Sequence, residues 1–207
     1  MKILIGTPIH EVKDYSMERW LANISKLRRK TPADFLMVDN SPGLDYADKI
    51  KGYCQKLDIR DYKIKHLELT AGQGKHERVT RSWEEIRQYV LAHNYDAWFT
   101  WECDQLIPPN ALDILIKQMK VGGYQLVHAN TWAREMQEEL NPNFGCALIA
   151  RESLRKYGFL DKQNMNTESP NPWDSAEVLF KRRVLAGGGK YIELFGLIHP
   201  IYHLDKT

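Results

Sequence analysis

Two acidic residues follow an apolar, strand-like segment of the sequence. The run Trp98-Phe99-Thr100-Trp101 leads directly into Glu102-Cys103-Asp104. Because alternate residues of an extended chain point to the same side, Glu102 and Asp104 are expected to share one face. Carboxylate oxygens are the ligands that Mg²⁺ and Mn²⁺ prefer. The spacing therefore predicts a divalent-cation site, with the alternative that Asp104 caps the following turn and Glu102 is solvated.

A phosphate group could instead be held by a glycine-rich loop, but the sequence offers no good candidate. The segment Gly72-Gln73-Gly74-Lys75 resembles a Walker loop only in part, since Leu69 replaces its leading glycine and His76 its Ser or Thr. No G-x-G-x-x-G pattern follows the first strand-like run either. A cation at Glu102 and Asp104 is thus the expected means of neutralising a diphosphate, and the expected ligand is a nucleotide.

Short β-rich runs alternate with amphipathic helical patterns through the first two-thirds of the chain. This alternation predicts an α/β fold with a Rossmann-like, mainly parallel sheet and helices on both faces. The predicted strands cover residues 2–7, 35–39, 63–69, 97–102, 125–130 and 146–150. Beyond them, a helix is predicted over about residues 174–186, ended by Gly187-Gly188-Gly189.

Apolar residues recur at steps of three and four between the strands, which predicts helices with one buried stripe. A further helix is expected after Pro108-Pro109, with Asn110 as its possible cap. The four stripes are Met17-Trp20-Leu21-Ile24-Leu27, Tyr46-Ile50-Tyr53-Leu57, Val79-Trp83-Ile86-Val90 and Leu112-Leu115-Ile116-Met119.

Polar residues stand where three predicted strands end. The three segments are Thr7-Pro8-Ile9-His10, Asp39-Asn40-Ser41-Pro42 and Glu102-Cys103-Asp104. Ligands of open parallel sheets bind beyond the carboxyl ends of the strands, so these segments are expected to meet at one crevice. Turns favour the same residue types, which leaves a purely structural interpretation of Asp39-Asn40 open.

Composition limits the functions that remain. The chain has 207 residues with a net charge of +2, which provides no broad field for nucleic acid or an anionic membrane. Its length suits one domain over 1–207. The odd number of cysteines, 3, argues against a disulfide framework. No secretory signal or run of ~20 apolar residues is present, so a cytoplasmic protein without a transmembrane segment is expected.

Taken together, the motifs resemble those of GT-A glycosyltransferases, most closely the large family 2. The resemblance is at motif level and runs from about residue 2 to about residue 195. Thr7-Pro8 matches the turn after the family's first strand, and Asp39, with Asn40 beside it, matches the acidic residue that recognises the base. Glu102-Cys103-Asp104 matches the Asp-x-Asp metal motif, with Glu in place of the first Asp.

The resemblance implies further site residues and ligands. An arginine at the start of the third helix would contact the nucleotide, and Arg78 and Arg81 both qualify, with Arg81 preferred. A late histidine, His199 or His203, would join the metal shell. The implied cofactor is Mn²⁺ or Mg²⁺, the donor a UDP-, GDP- or TDP-sugar, and the acceptor a hydroxyl of a glycan or another molecule. Residues to about 110 would bind the nucleotide, and about 111–207 would form the acceptor and catalytic part.

The catalytic base implied by the resemblance is Asp174, because the acidic pair before the last helix of the family resembles Trp173-Asp174 here. Asp174 with Glu177 also forms an Asp-x-x-Glu capping box, so a structural role is an equal alternative. Glu177 and Glu168 are the other candidate bases. The expected activity is inverting sugar transfer by a glycosyltransferase of the hexosyltransferase type.

Two other functions stay open at this point. A nucleotidyltransferase would also use a metal and a nucleotide, but it normally carries a Gly-rich basic loop after its first strand, which Gly6-Thr7-Pro8-Ile9-His10 does not match. A catalytically inactive module that binds a nucleotide-sugar is the second alternative. It would be favoured if Asp174 were only a helix cap.

Overall fold

The computed structural model describes residues 1–69, 73–130, 144–160 and 176–205. Its main sheet has seven strands in the order β3-β2-β1-β4-β7-β6-β8, and β5 and β9 form a separate pair. The strands, in chain order, are β1 (Ile3–Ile9), β2 (Asp34–Asp39), β3 (Tyr62–His66), β4 (Ala97–Trp101), β5 (Gln105–Leu106), β6 (Leu126–Ala129), β7 (Cys146–Ala150), β8 (Tyr191–Leu194) and β9 (Tyr202–His203).

Strand β7 is the one antiparallel member of the described main sheet. It pairs antiparallel with both β4 and β6, whereas β1, β2, β3 and β4 are mutually parallel and β6 is parallel to β8. Because β7 is antiparallel to both β4 and β6, the strands β6 and β8 run in the same direction as β4. The carboxyl ends of all the parallel strands therefore lie along one edge of the sheet.

Helices cover both faces of the sheet, as the sequence predicted. On one face, α1, α2 and α4 bury their apolar stripes, and on the other α3, α5 and α6 do so. Within the described ranges, no helix has both the length and the apolar character needed to cross a bilayer. The helices are α1 (Asp14–Lys30), α2 (Asp45–Lys56), α3 (Lys75–Ala92), α4 (Ala111–Gly122), α5 (Arg151–Lys156) and α6 (Ala176–Ala186).

The contact between β1 and β4 forms the centre of the fold. Trp98 Nε1 donates to Gly6 O at 2.9 Å, and Thr7 Oγ1 donates to Trp101 O at 2.9 Å. A Cβ at Gly6 would stand 2.4 Å from Ile86 Cγ2, so α3 can approach the sheet only over a glycine. These contacts fix the strand ends that lead to Pro8 and Glu102.

The predicted elements agree with the structure in kind and differ at several ends. Strand β7 has its predicted bounds, β1 extends to Ile9, two residues beyond prediction, and β3 ends at His66 rather than residue 69. Strand β4 ends at Trp101, so the alternation expected for Glu102 and Asp104 does not hold: a turn follows the strand. Asn110 is the N-cap of α4, but its side chain makes no capping hydrogen bond.

Several elements were not predicted at all. They are β8, α5 and the small sheet of β5 and β9. The small sheet pairs Gln105 with His203 and Leu106 with Tyr202, and Leu204 N donates to Asp104 O at 2.7 Å. It brings the end of the described chain against the turn that follows β4. A histidine distant in sequence is thereby placed beside the predicted metal motif.

Candidate functional site

A crevice of about 270 Å³ opens at the carboxyl ends of β1 and β4. The start of α3 forms one side, where Val79 and Trp83 provide an apolar wall together with Phe144. The first and third predicted strand-end segments meet here, since Thr7 to His10 and Glu102 to Asp104 all line it. Asn40 joins them from the end of β2.

A larger depression of about 480 Å³ lies at the opposite edge of the sheet. It is lined by residues at the amino ends of β1 and β2, among them Lys2 and Asp34. Its Arg28 guanidinium donates to the carbonyls of Ala33, Arg60 and Asp61 at 2.9, 3.0 and 3.1 Å. Because those donors are already used and the edge is the wrong one for an open α/β sheet, we place the candidate site in the smaller crevice.

Cationic side chains line the crevice on the α3 side. Lys75 and Arg78 stand in the first turn of α3, where the backbone N–H groups also favour negative charge. Among the residues that the structure describes, neither Lys75 nor Arg78 has a carboxylate partner. Lys75 is near enough to Glu102 for its charge to act on that carboxyl, but neither cation forms a described ion pair, so both can attract an anion such as a diphosphate.

His10 adds a hydrogen-bond donor to the same rim. Val12 N donates to His10 Nδ1 at 3.1 Å, so in the neutral ring the hydrogen resides on Nε2. That Nε2 is buried and has no hydrogen-bond partner in the described part of the chain. Burial and the positive charge of Arg78 lower the pKa of His10, and the charges of Glu11 and Asp39 oppose this shift. A bound anion would therefore satisfy an unused donor.

The structure separates the two candidate arginines. Arg78 lines the crevice, whereas Arg81 Nε donates to Glu77 Oε1 at 2.8 Å and is not among the lining residues. The preference for Arg81 is thus not supported by the geometry. Lys13 and Lys75 were not predicted as site residues, although the incomplete Walker-like segment ending in Lys75 was a usable signal.

Residues at the end of β2 form a buried polar group. Asp39 has 0% exposure; its Oδ1 accepts from Ser41 N at 3.0 Å, and its Oδ2 lies 3.1 Å from His66 Nδ1. Asn40 Nδ2 donates to Ser82 Oγ at 2.9 Å. Asn40 reaches the crevice surface, but Asp39 does not line it. In this arrangement the Asp39 carboxylate holds the turn after β2.

The acidic pair lies at the floor of the crevice in two different environments. Asp104 is 5% exposed and forms an ion pair with Lys13, with Tyr15 Oη 3.4 Å from its Oδ2. Burial alone would lower the pKa of Lys13, but the hydrogen bond and charge of Asp104 outweigh it and raise that pKa. Burial raises the pKa of the Cys103 thiol, which lies between the two acids, to about 12.

Glu102 is open to solvent but surrounded by protein on most sides. Reduced hydration raises the pKa of its carboxyl, and the nearby Asp104 carboxylate raises it further, while Lys13 opposes the shift. Two carboxylates that repel one another at the floor of a crevice are an arrangement that a divalent cation would stabilise.

Of the two candidate histidines, His203 is linked to Glu102 through the side chain of Gln105. Gln105 Nε2 lies 2.7 Å from Glu102 Oε2 and 2.9 Å from His203 Nε2, and thus joins the two side chains. His199 is exposed, and no described contact links it to the crevice.

The donor side chains near the acidic pair match Mn²⁺ or Mg²⁺ in chemistry but not in arrangement. Within the described ranges, no three side chains of the His, Cys, Asp and Glu types converge as a metal shell. Two carboxylates with one imidazole nearby nevertheless have the chemistry of such a site. Glu102, Asp104 and His203 therefore fit such a cation in chemical type, but in this arrangement they do not converge, and Lys13 holds one oxygen of Asp104.

Of the three candidate bases, only Glu177 falls within the described residues. Asp174 and Glu168 fall outside the described residues. Glu177 stands in the first turn of α6, is partly exposed and is not among the residues that line the crevice. Their roles as bases stay predictions.

A second polar cluster lies on the same face and edge of the sheet, three strands from β4. Glu193 Oε1 accepts from Asn130 Nδ2 at 2.7 Å and lies 3.7 Å from His128 Nδ1, while Tyr191 Oη donates to Glu193 Oε2 at 3.2 Å. In the strand register, His128 of β6 pairs with Ala147 of β7, which pairs with Thr100 of β4. Both oxygens of Glu193 are thus used within the cluster.

No family model matches the sequence, and no curated protein matches it. Several solved structures, however, are similar to this chain in fold. Mannosyltransferase PcManGT from Pyrobaculum calidifontis, in complex with GDP-Man and Mn²⁺, superposes over 95% of this chain with a TM-score of 0.64 at 15% identity. The chain has a GT-A-like fold. Its α/β sheet and two-sided helix packing are those expected from the resemblance.

Two further structures share the GT-A-like fold. Staphylococcus aureus TarS 1-349 in complex with UDP is 13% identical over 94% of this chain, with a TM-score of 0.59. The glycosyltransferase GlyE of Streptococcus pneumoniae TIGR4 is 14% identical over 94%, with a TM-score of 0.58. The chain spans 55% of the PcManGT chain, 61% of TarS 1-349 and 45% of GlyE. At these identities the likeness establishes the fold.

Proposed function

We propose that this chain transfers a sugar from a nucleotide-diphosphate sugar to an acceptor hydroxyl. The observation that carries this proposal is the crevice, where the unpaired cations Lys75 and Arg78 face the acidic pair Glu102 and Asp104. An anionic ligand and a divalent cation can be bound there together. The complexes of fold neighbours with GDP-Man and Mn²⁺ and with UDP support the same ligand class.

The nucleoside would bind on the β1 and β2 side of the crevice. Thr7 and Pro8, which lie within β1 rather than in the expected turn, and Asn40 line that side, and Trp83 offers an aromatic surface nearby. Asp39 is proposed to recognise the base, as its motif position implies. Since Asp39 is buried and does not line the crevice, the turn after β2 would have to rearrange for its carboxylate to reach a base.

The diphosphate would bind between the two charged sides. His10 Nε2, Lys75 and Arg78 supply donors on one side, and they favour the charge that accumulates on the leaving nucleotide. Cys103 lines the floor as a neutral thiol. A divalent cation, Mn²⁺ or Mg²⁺, would be held by Glu102, Asp104 and His203 and, when bound, would stabilise the leaving diphosphate.

The acceptor hydroxyl would be deprotonated by Asp174, with Glu177 and Glu168 as the alternative bases. Attack on the anomeric carbon from the face opposite the leaving group gives inversion. Residues to about 110 would bind the nucleotide and residues from about 111 the acceptor. We propose that the protein acts in a reducing compartment such as the cytoplasm, since Cys54, Cys103 and Cys146 are all buried free thiols.

The test is nucleotide binding followed by turnover. UDP, GDP and TDP are titrated into the protein by calorimetry with Mn²⁺ and with EDTA, and the matching nucleotide-sugars are then assayed for hydrolysis and transfer. We expect one nucleotide to bind well only with metal, and its sugar to be consumed. Asp104→Ala should abolish the metal dependence of binding. Equal nucleotide affinity with EDTA and with Mn²⁺ would show that the metal has no role in binding. Failure of every nucleotide to bind would overturn the proposal.

A further inference from the structure

The ion pair between Lys13 and Asp104 lies at the acidic pair where the sequence predicted a divalent cation. Lys13 Nζ donates to Oδ2 of Asp104, whose side chain is only 7% exposed. Tyr15 Oη is 3.4 Å from the same oxygen. A carboxylate oxygen that already accepts from an ammonium group has fewer lone pairs left for a metal ion. A cation of the chain itself therefore occupies this part of the acidic pair.

The backbone of Lys13 is anchored independently of its ammonium group. Lys13 N donates to His10 O at 2.8 Å, and Lys13 O accepts from Ser16 Oγ at 2.7 Å. These bonds hold the 3₁₀ turn Glu11–Lys13 at the start of α1. Lysine carries its charge on a flexible four-carbon stem. The ammonium group can therefore leave Asp104 while the main chain stays in place.

The Lys13 side chain also has access to the crevice. It is 34% exposed, and it lines the crevice together with Asp104. Lys75 and Arg78 line the α3 side of the same small volume, about 270 Å³. A diphosphate attracted by these two cations would enter a cavity that Lys13 borders. Its oxygens would offer the ammonium group an anionic partner other than Asp104.

The charges at the floor of the crevice make the two cations alternatives. Burial and the Asp104 carboxylate raise the pKa of Glu102, and Lys13 opposes this shift. A divalent cation would also relieve the repulsion between the two acids, with two charges instead of one. Beside one buried carboxylate, however, an ammonium group and a divalent cation repel each other strongly.

We propose that Lys13 holds Asp104 closed to a divalent cation until a nucleotide diphosphate draws the ammonium group away. This inference rests on the proposed function and concerns how its metal gains access to Asp104. In the ligand-free crevice, Lys13 neutralises Asp104. When the diphosphate is bound, Lys13 turns to its oxygens and leaves Asp104 to the cation. Metal and nucleotide then bind together rather than separately.

Three variants distinguish a competitor from a charge that is merely nearby. Lys13→Met removes the ammonium group at similar length, and Lys13→Arg keeps a cation beside Asp104. Lys75→Met is the matched control, since Lys75 acts on Glu102 through its charge but forms no described ion pair. Mn²⁺ affinity without nucleotide is measured by calorimetry and by the loss of the free Mn²⁺ electron paramagnetic resonance signal.

The expected order of Mn²⁺ affinities follows from the competition. Lys13→Met should bind Mn²⁺ about 10-fold more tightly than wild type or better, because no ammonium group has to be displaced. Lys13→Arg should bind Mn²⁺ no more tightly than wild type. Lys75→Met should gain no more than about 2- to 3-fold, because its charge acts from a greater distance and is screened.

The effect of nucleotide on Mn²⁺ affinity provides a second readout. The best-binding nucleoside diphosphate should raise the Mn²⁺ affinity of wild type by a larger factor than that of Lys13→Met. The same nucleoside without phosphate should change neither affinity. In EDTA, Lys13→Met should melt at a lower temperature than wild type, because Asp104 loses its counter-charge. Mn²⁺ should then raise its melting temperature more than that of wild type.

Each outcome is decisive. If Lys13→Met binds Mn²⁺ no more tightly than wild type, or if Lys75→Met gains as much, Lys13 is no competitor and the inference is wrong. If Lys13→Met does not fold, Lys13→Gln is held to the same criterion, since it keeps an N–H donor without the charge. If nucleotides bind but Mn²⁺ binds to neither protein, the inference is overturned and sugar transfer stands. If no nucleotide binds, the proposed function fails, and the Mn²⁺ affinities alone decide on Lys13.

Discussion

The crevice and the cluster around Glu193 differ in how their polar groups are used, although both lie on one face and one edge of the same sheet. In the crevice, His10 Nε2 has no hydrogen-bond partner among the described residues, and Lys75 and Arg78 form no described ion pair. In the cluster, Glu193 is bonded to Asn130 and Tyr191 and lies near His128. A position beyond the carboxyl ends of strands is therefore not sufficient for a site. Of the two regions, the crevice is the one that keeps polar groups available for a ligand.

The largest expected effect concerns chemistry rather than binding. Asp174→Asn should lower the rate of sugar transfer ~10²-fold or more if Asp174 is the base, while nucleotide affinity in the crevice is retained. Asn caps helices about as well as Asp, so stability should change by less than ~1 kcal/mol. Steady-state transfer rates and calorimetry measure the two effects. Sugar transfer near the wild-type rate would mean that Asp174 is only a helix cap. Glu177→Gln and Glu168→Gln would then be assayed as the alternative bases.

The second prediction compares two arginines at opposite edges of the sheet. Arg78→Gln should weaken binding of a nucleotide-sugar by about 10-fold or more, with little loss of stability, because Arg78 has no described carboxylate partner. Arg28→Gln should lower the free energy of unfolding and leave nucleotide-sugar affinity unchanged, since three backbone carbonyls lose their donor. Calorimetry and urea unfolding of both variants test this. The contrast between used and unused donors fails if Arg28→Gln weakens binding as much.

A third prediction tests the cluster itself. In Glu193→Leu, Asn130 Nδ2 and the hydroxyl of Tyr191 both lose the carboxylate that accepts their hydrogen bonds. The unpaired groups should destabilise the fold by about 1–3 kcal/mol. Nucleotide affinity should stay the same, because the cluster lies three strands from β4. Chemical unfolding and calorimetry measure both quantities. A loss of affinity at unchanged stability would make the cluster part of the site.

The smallest expected effect is on pH dependence. Burial and Arg78 lower the pKa of His10 in the free protein, and an anion bound beside it would raise that pKa again. Binding then takes up a proton, so affinity for a nucleotide-sugar should increase a few-fold (~2–5) as the pH falls through the raised pKa. His10→Asn should flatten this dependence. Nucleotide-sugars are the suitable probe, since their diphosphate does not titrate near neutral pH.

His10 also affects stability with a definite sign. Its lowered pKa means that the unfolded chain binds a proton more readily, near the ordinary value of about 6.5. Stability due to His10 is therefore complete above that pH and decreases as the pH falls below it.

Local patterns were sufficient to predict much of the fold. The stripe Met17-Trp20-Leu21-Ile24-Leu27 is buried in full on α1, and β7 has its predicted bounds. Such features depend on periodicity within a single element. Convergence of the strand ends could also be predicted, because parallel strands share an edge.

Long-range pairing could not be predicted in this way. Gln105 and His203 are neighbours through a ladder of two residues on each strand, too short to leave a periodic signal. Arg78 and Arg81 flank the same apolar stripe, and only the start of α3 at Lys75 places Arg78 in the first turn, nearer the crevice. Whether a polar group lacks a partner depends on the packed structure.

One edge of the main sheet has a consequence for solubility. Strand β3 stands at the end of the strand order, and its Lys63 and Lys65 are both exposed. Charged lysines on an edge strand disfavour the addition of a further strand from another molecule, because pairing would crowd like charges and strip their water. We expect the lysines of β3, of which Lys65 is also paired with Glu85, to disfavour edge-to-edge aggregation.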